Sequence, residues 1–157
     1  MPMRVLFALS AAGFVLGITT STMARPAEAT PSAEALVAAR QAAFRLNLAS
    51  FLTIKAAIAR GDDVKTLALP SGAIAGWGRA LPGLFPAGST TAKSEALPTV
   101  WSDRAGFEAA AAAMATEAAK LNALAKAGDS AGFAAQYAVL GGTCAACHTK
   151  YKAEEKH

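Results

Sequence analysis

The sequence predicts an all-α protein that folds as an antiparallel four-helix bundle. Alanine is the commonest residue in a chain that is 54% hydrophobic, and β-branched residues are sparse, which favours helix over strand. Glycine and proline gather between four stretches in which apolar residues recur every three to four positions. Because the connections are mostly short, we expect neighbouring helices to run antiparallel.

The chain begins with a predicted secretory signal peptide. Arg4 precedes an apolar run over residues 5–18, and small residues follow up to Ala24. We expect cleavage after Ala24, with Ala29 as the alternative, and a single bundle domain over residues 25–157. The apolar run is shorter than the roughly 20 residues that a membrane span needs, so no membrane attachment is expected after cleavage.

The first helix is predicted over residues 32–60, with a start signal at Thr30, Pro31 and Ser32 and a stop at Gly61. Its apolar stripe consists of Phe44, Leu48, Phe51 and Ile58. The second helix contains Pro70, which either separates a short helix ending near Ala68 from another that starts at the proline, or kinks a single helix. Its later half is marked by Ile74, Trp77, Leu81 and Leu84, and a loop is predicted over residues 87–99.

The third helix is predicted over residues 102–127, capped by Ser102 or Asp103 and ended by Gly128. Met114 has the spacing of a core residue there. The fourth helix is predicted over residues 130–156. Its apolar seam steps by three and four through Phe133, Tyr137, Leu140, Cys144, Cys147 and Tyr151.

The fourth helix carries Cys144-Ala145-Ala146-Cys147-His148, a C-x-x-C-H pattern. Two thiols at this spacing can form thioethers with the vinyl groups of one porphyrin, and the adjacent imidazole can bind its iron. A redox dithiol or half of a zinc site is the alternative. Zinc would need more soft ligands, yet His157 is the only other histidine and there is no third cysteine. We therefore predict one covalently bound haem c per chain, in a periplasmic protein.

The formal net charge of +4 is too small to indicate nucleic-acid binding, and the basic residues are too scattered along the chain.

With the motif on the last helix of an exported bundle, the chain resembles the class II cytochromes c, the cytochromes c′ and c-556. The similarity also involves residues 40–44, 84–89, 97–101 and 144–152. It implies that His148 is the axial ligand of the iron and that Phe44 covers the opposite, distal face. It also implies that Arg40 meets a haem propionate, Phe85 lies at the haem edge and Lys152 lies beside the proximal histidine. Without the resemblance, Arg40 is a solvated helix residue, Phe85 is core packing and Lys152 snorkels to solvent.

In this family, a methionine four residues after the arginine can be the sixth iron ligand. Phe44 occupies that position and has no donor atom, so the resemblance implies five-coordinate iron, an apolar distal pocket without hydrogen-bond donors, and binding of NO and CO. The alternative function is electron transfer of the c-556 type with redox partner proteins. Catalysis is not expected, because no distal histidine is available as an acid–base group. The resemblance also suggests a homodimer through the first two helices.

Overall fold

The computed structural model describes residues 30–154; the predicted signal peptide lies outside the described residues. Helix α1 spans Ala33–Arg60. The Ser32 hydroxyl accepts a hydrogen bond from the Ala35 N–H at its start. Gly61 ends the helix with a left-handed backbone (φ 72°), a conformation that glycine adopts at little cost. Both predicted boundaries of this helix are confirmed.

Two successive elements form around Pro70, as in the first of the two alternatives, but they meet between Leu67 and Ala68. A 3₁₀ segment spans Val64–Leu67, and helix α2 follows over Ala68–Ala80. Pro70 therefore falls in the first turn of α2, where its missing N–H has no partner to lose. The break comes before Ala68 and not at the proline itself. A second 3₁₀ segment, Leu81–Leu84, continues from α2.

A loop over residues 85–98 leads to a short helix α3, Thr99–Ser102, that the sequence did not predict. Helix α4 then spans Arg104–Ala127 and ends at Gly128. Asp103, one of the two predicted caps, accepts a hydrogen bond from the Gly106 N–H. The third predicted helix was thus correct at its C-terminal end and two residues too long at its start.

Helix α5 spans Ser130–Tyr151, so the prediction that it reaches residue 156 was wrong. Lys152 leaves the helix in an extended conformation and pairs with Ala96 of the loop. The Leu97 N–H donates to the Tyr151 carbonyl, and the Ala153 N–H donates to the Glu95 carbonyl. These long-range hydrogen bonds replace those of a further helical turn. The spacing of apolar residues within the helix could not predict them.

In the core, α1 packs on α2, α2 on α4, and α4 on α5. Met114 is buried in this core, as predicted. The seam of α5 is also confirmed: Phe133, Leu140 and Tyr151 are buried, and the cysteines lie half-buried at the edge of the core. The α1 stripe was only partly correct, because Leu48 is 54% exposed while Ile54 and Ala57 are buried instead.

Candidate haem site

Cys144, Cys147 and His148 lie on the last two turns of α5, at positions i, i+3 and i+4. The two cysteines are half-buried free thiols, and desolvation by burial raises the pKa of each. Residues 30–154 contain no group of three or more histidine, cysteine or acidic side chains that could hold a metal ion.

Aromatic side chains of α1 lie against side chains of α5 beside this motif. The Phe44 ring lies 6.4 Å from the His148 ring, centroid to centroid. Two turns further along α1, Phe51 stacks on Tyr137 at 4.3 Å, and the Tyr137 hydroxyl donates a hydrogen bond to the Phe51 carbonyl. A Cβ atom on Gly141 would lie 3.4 Å from the Phe51 ring. Alanine at this position would therefore make an ordinary van der Waals contact with α1.

Arg40 is buried, with 3% of its surface exposed, so the interpretation of it as a solvated residue was wrong. One terminal nitrogen of its guanidinium donates to the Leu84 carbonyl and the Ser89 hydroxyl, and the other donates to the Ser94 hydroxyl. The guanidinium carbon lies 4.3 Å from the centre of the Phe85 ring. Arg40 therefore ties α1 to the loop over residues 85–98.

Phe85 is the first residue of that loop, and Lys152 contacts the loop at Glu95 and Ala96. Phe85 is buried in the core and packs edge-on against Phe107 at 5.1 Å. The Lys152 ammonium is 3.6 Å from the Glu95 carboxylate. Partial desolvation lowers the pKa of His148, and the positive charge of Lys152 lowers it further. Both effects keep the imidazole neutral, which is the form that binds iron.

Two polar residues beside Phe44 were missed at the sequence level. The Trp77 ring meets Phe44 edge-on at 5.3 Å, and Asn47 follows Phe44 by three residues on α1. The Trp77 indole nitrogen and the Asn47 carbonyl oxygen are both buried, with no hydrogen-bond partner among the residues that the structure describes. The i+3 spacing from Phe44 was a signal that could have placed Asn47.

These residues fit a haem. Two thiols and a neutral imidazole lie on consecutive turns of one helix, and the aromatic ring of Phe44 faces that imidazole from another helix. Phe44, Trp77 and both cysteines are partly buried and pack against the hydrophobic core. In such a place, the cysteines would hold the porphyrin covalently and the histidine would bind its iron.

The family model described as Cytochrome C' matches residues 35–152. The chain belongs to the cytochrome c′ family. Consistent with this, it is 33% identical to cytochrome c′ of Rhodospirillum rubrum over 138 residues, which cover 87% of this chain and 92% of that protein. It is also 36% identical to cytochrome c-556 of Agrobacterium tumefaciens strain B2A over 100 residues, 62% of this chain and 80% of the relative.

Solved structures of cytochromes c′ share the fold. That of Rubrivivax gelatinosus superimposes with a TM-score of 0.71 at 32% identity, covering 79% of this chain and 99% of the other. A ferrous variant of Alcaligenes xylosoxidans cytochrome c′ with bound NO has a TM-score of 0.73 at 26% identity, covering 81% and 100%. The predicted four-helix bundle and covalent haem c are therefore confirmed, and the chain is a c-type haem protein of this family.

Proposed function

We propose that this cytochrome c′-family protein is exported to the periplasm and binds NO and CO at five-coordinate haem iron. The observation that carries the proposal is Phe44, which faces His148 at 6.4 Å and has no atom that could bind a metal. An NO complex is known from the Alcaligenes xylosoxidans relative. Export follows from the sequence, with cleavage after Ala24 or Ala29; the N-terminal residue of the secreted protein tests it.

Each residue has a separate task in this proposal. Cys144 and Cys147 would form the thioethers, and His148 would bind the iron. Phe44 would cover the opposite face and keep bulk water and larger ligands out. When bound, the haem supplies an iron with one open position for a diatomic gas. The charges of Arg40 and Lys152 would pair with propionates, and the Phe85 ring packs against the Arg40 guanidinium.

We propose a binding role and not catalysis. Apart from His148, the polar side chains that we assign to this pocket are those of Trp77, which packs edge-on against Phe44, and Asn47, one turn along α1. Neither exchanges protons near neutral pH, so neither can serve as the general acid or base that peroxidase chemistry needs.

The second candidate function is electron transfer to a redox partner protein, which the similarity to cytochrome c-556 favours. The two functions differ in the state of the iron. A gas-binding site needs five-coordinate, high-spin iron, whereas a c-556-type carrier has its sixth position filled by a protein ligand.

Absorption spectra of the protein, produced with haem-attachment machinery, test the proposal. A pyridine haemochrome spectrum should show one haem c per chain, and the reduced protein should be high-spin and shift on addition of CO. A low-spin reduced spectrum that ignores CO would establish the carrier function instead. Replacement of either Cys144 or Cys147 by serine should allow acid–acetone to extract the haem more readily.

We further propose that two copies associate through α1 and α2. By length and composition α1 is apolar enough to cross a membrane, yet only 11% of its most apolar stretch is buried. Leucines on both helices are exposed: Leu46 by 71% and Leu69 by 82%. A second copy of the same face would remove these side chains from water.

Sedimentation velocity tests this association. Leu46→Glu should convert a dimer into a monomer, because it places a charge in the apolar contact. Val139→Glu is the matched control, since Val139 is also exposed (51%) but lies on α5. A monomeric unmodified protein, or equal dissociation by both variants, would exclude the proposed interface.

A further inference from the structure

We propose that Trp77 and Asn47 form a hydrogen-bonding subsite for a small oxygen-containing ligand on the distal side of the haem. The ligand is a water molecule when the iron is free and the outer oxygen of the diatomic when a gas is bound. This inference rests on the proposed function and changes one part of it. The distal pocket contains a donor, although the family resemblance implied a pocket without one.

The first observation is the unpaired indole of Trp77. Its ring packs edge-on against Phe44 at 5.3 Å, and its N–H is buried without a partner among residues 30–154. Trp101 shows the usual arrangement, because its indole N–H donates to the Pro86 carbonyl at 3.0 Å. Buried indole nitrogens usually find a partner. The missing acceptor of Trp77 is therefore a feature of the Phe44 pocket and not of tryptophan in this fold.

The second observation is the unpaired carbonyl oxygen of Asn47, one turn beyond Phe44 on α1. This oxygen is shielded from solvent, and it accepts no hydrogen bond within the described chain.

Together the two atoms specify the chemistry of the ligand. More than nine in ten buried polar groups in proteins are hydrogen-bonded, so two unpaired atoms beside one side chain indicate a missing small molecule. One is a donor and the other an acceptor, which suits water, a ligand that both accepts and donates. A diatomic on the iron only accepts, so it would use the Trp77 N–H alone and displace the water held at Asn47.

The infrared C–O stretch of the CO complex tests the donor. A hydrogen bond to the bound CO increases back-donation from iron and weakens the C–O bond. Trp77→Phe keeps an aromatic ring and removes the N–H, so the stretch should move to higher wavenumber and CO should leave about two- to tenfold faster, the factor for one net hydrogen bond. Trp101→Phe is the matched control, and its CO stretch should equal that of the unmodified protein.

Two further measurements do not depend on how Trp77→Phe folds. In the unmodified CO complex, full exchange into D₂O should shift the C–O stretch, because the indole hydrogen is exchangeable. Asn47→Leu should speed CO association, because the pocket no longer retains water that must leave. An unchanged association rate would overturn the assignment of Asn47.

The outcomes separate this inference from the function on which it rests. If the unmodified protein binds CO but neither D₂O nor Trp77→Phe changes the C–O stretch, the subsite is overturned and gas binding stands. If the unmodified protein takes up no CO, the proposed function is overturned, and the subsite with it.

Discussion

At the scale of single residues, the proposed function depends on Phe44. Its ring lies beside that of His148, and it contains only carbon, so it has no atom that could bind iron. Under this proposal, the choice between gas binding and electron transfer depends on one side chain, while the fold of the bundle is common to both.

Phe44→Met should convert the site towards the electron-transfer type. The thioether sulfur can bind iron, so the reduced spectrum should become low-spin and CO uptake at a given concentration should fall. Phe51→Met, two turns along the same helix and packed on Tyr137, is the control and should remain high-spin. An unchanged spectrum in Phe44→Met would mean that another residue covers the distal face.

Arg40 is the second decisive residue, because it holds a loop through three oxygens. Burial lowers the pKa of its guanidinium, because desolvation disfavours the charged form. Arg40→Ala should lower the free energy of unfolding by about 2–3 kcal/mol, the range for bonds to a charged group. Urea denaturation measures this loss.

The loop gives a second readout for Arg40. Limited proteolysis of Arg40→Ala should cut within residues 85–98, because the loop has lost its anchor. Arg45→Ala, at an exposed position on the same helix, should keep both the stability and the resistant loop. Equal behaviour of the two variants would show that Arg40 does not anchor the loop.

At the scale of secondary-structure elements, the closest approach lies between α2 and α4. A Cβ atom on Gly78 would lie 2.9 Å from the backbone nitrogen of Ala115 and 3.0 Å from its Cα. Small residues on both helices allow this approach. Asn122 adds hydrogen bonds to Ser71 and the Ala68 carbonyl across the same pair of helices.

Gly78→Ala and Gly76→Ala should therefore have opposite effects. At Gly78 the methyl group meets backbone atoms that cannot move aside, and overpacking should destabilise the protein by about 1–3 kcal/mol. At Gly76 the nearest atom is 3.9 Å away, at the end of the Arg79 side chain. There alanine should stabilise the helix by up to about 1 kcal/mol. Thermal unfolding of both variants checks the difference, and shifts of the same sign would contradict this packing.

At the scale of the whole molecule, one end of the bundle is closed by contacts between distant parts of the chain. Asp103, at the start of α4, accepts a hydrogen bond from the Tyr151 hydroxyl at 2.8 Å and pairs with Lys150 at 2.5 Å. The chain after Tyr151 pairs with residues 95–97 of the loop. The helix that bears the haem motif is thereby held at its C-terminal end by α4 and the loop.

This closure makes stability depend on pH in the acid range. The hydrogen bonds from Lys150 and Tyr151 lower the pKa of Asp103. A carboxyl whose folded pKa lies below its unfolded value of about 4 stabilises the protein above that pH, and this contribution disappears as the pH falls through the folded pKa. Asp103→Asn retains a capping residue but loses the charge.

We expect Asp103→Asn to be less stable than the unmodified protein near pH 6, with the difference shrinking towards about pH 3. Urea midpoints at several pH values measure this. Asp129→Asn, at the cap of α5, is the control for capping alone. A stability difference that did not vary with pH would show that the Asp103 charge is unimportant.

Much of this protein could be predicted from its sequence, because local spacing encodes it. The ends of α1 are set by Ser32 and Gly61, and the end of α4 by Gly128, through capping chemistry within one turn. The C-x-x-C-H motif needs only the helical repeat to place two thiols and an imidazole on one side of α5, and the family comparison confirmed the covalent haem. Such features depend on residues at most four apart.

Other features were decided by tertiary structure, because they depend on hydrogen bonds between residues that are far apart in the chain. Helix α5 stops at Tyr151 because the loop takes its backbone bonds, and Arg40 is buried because Ser89 and Ser94 come to it from some fifty residues away. Trp77 of α2 reaches Phe44 of α1 only once the two helices pack together. The sequence by itself determined the long helices and the haem motif. Tertiary packing decided which polar groups lie near that motif, because only packing shields those groups from water.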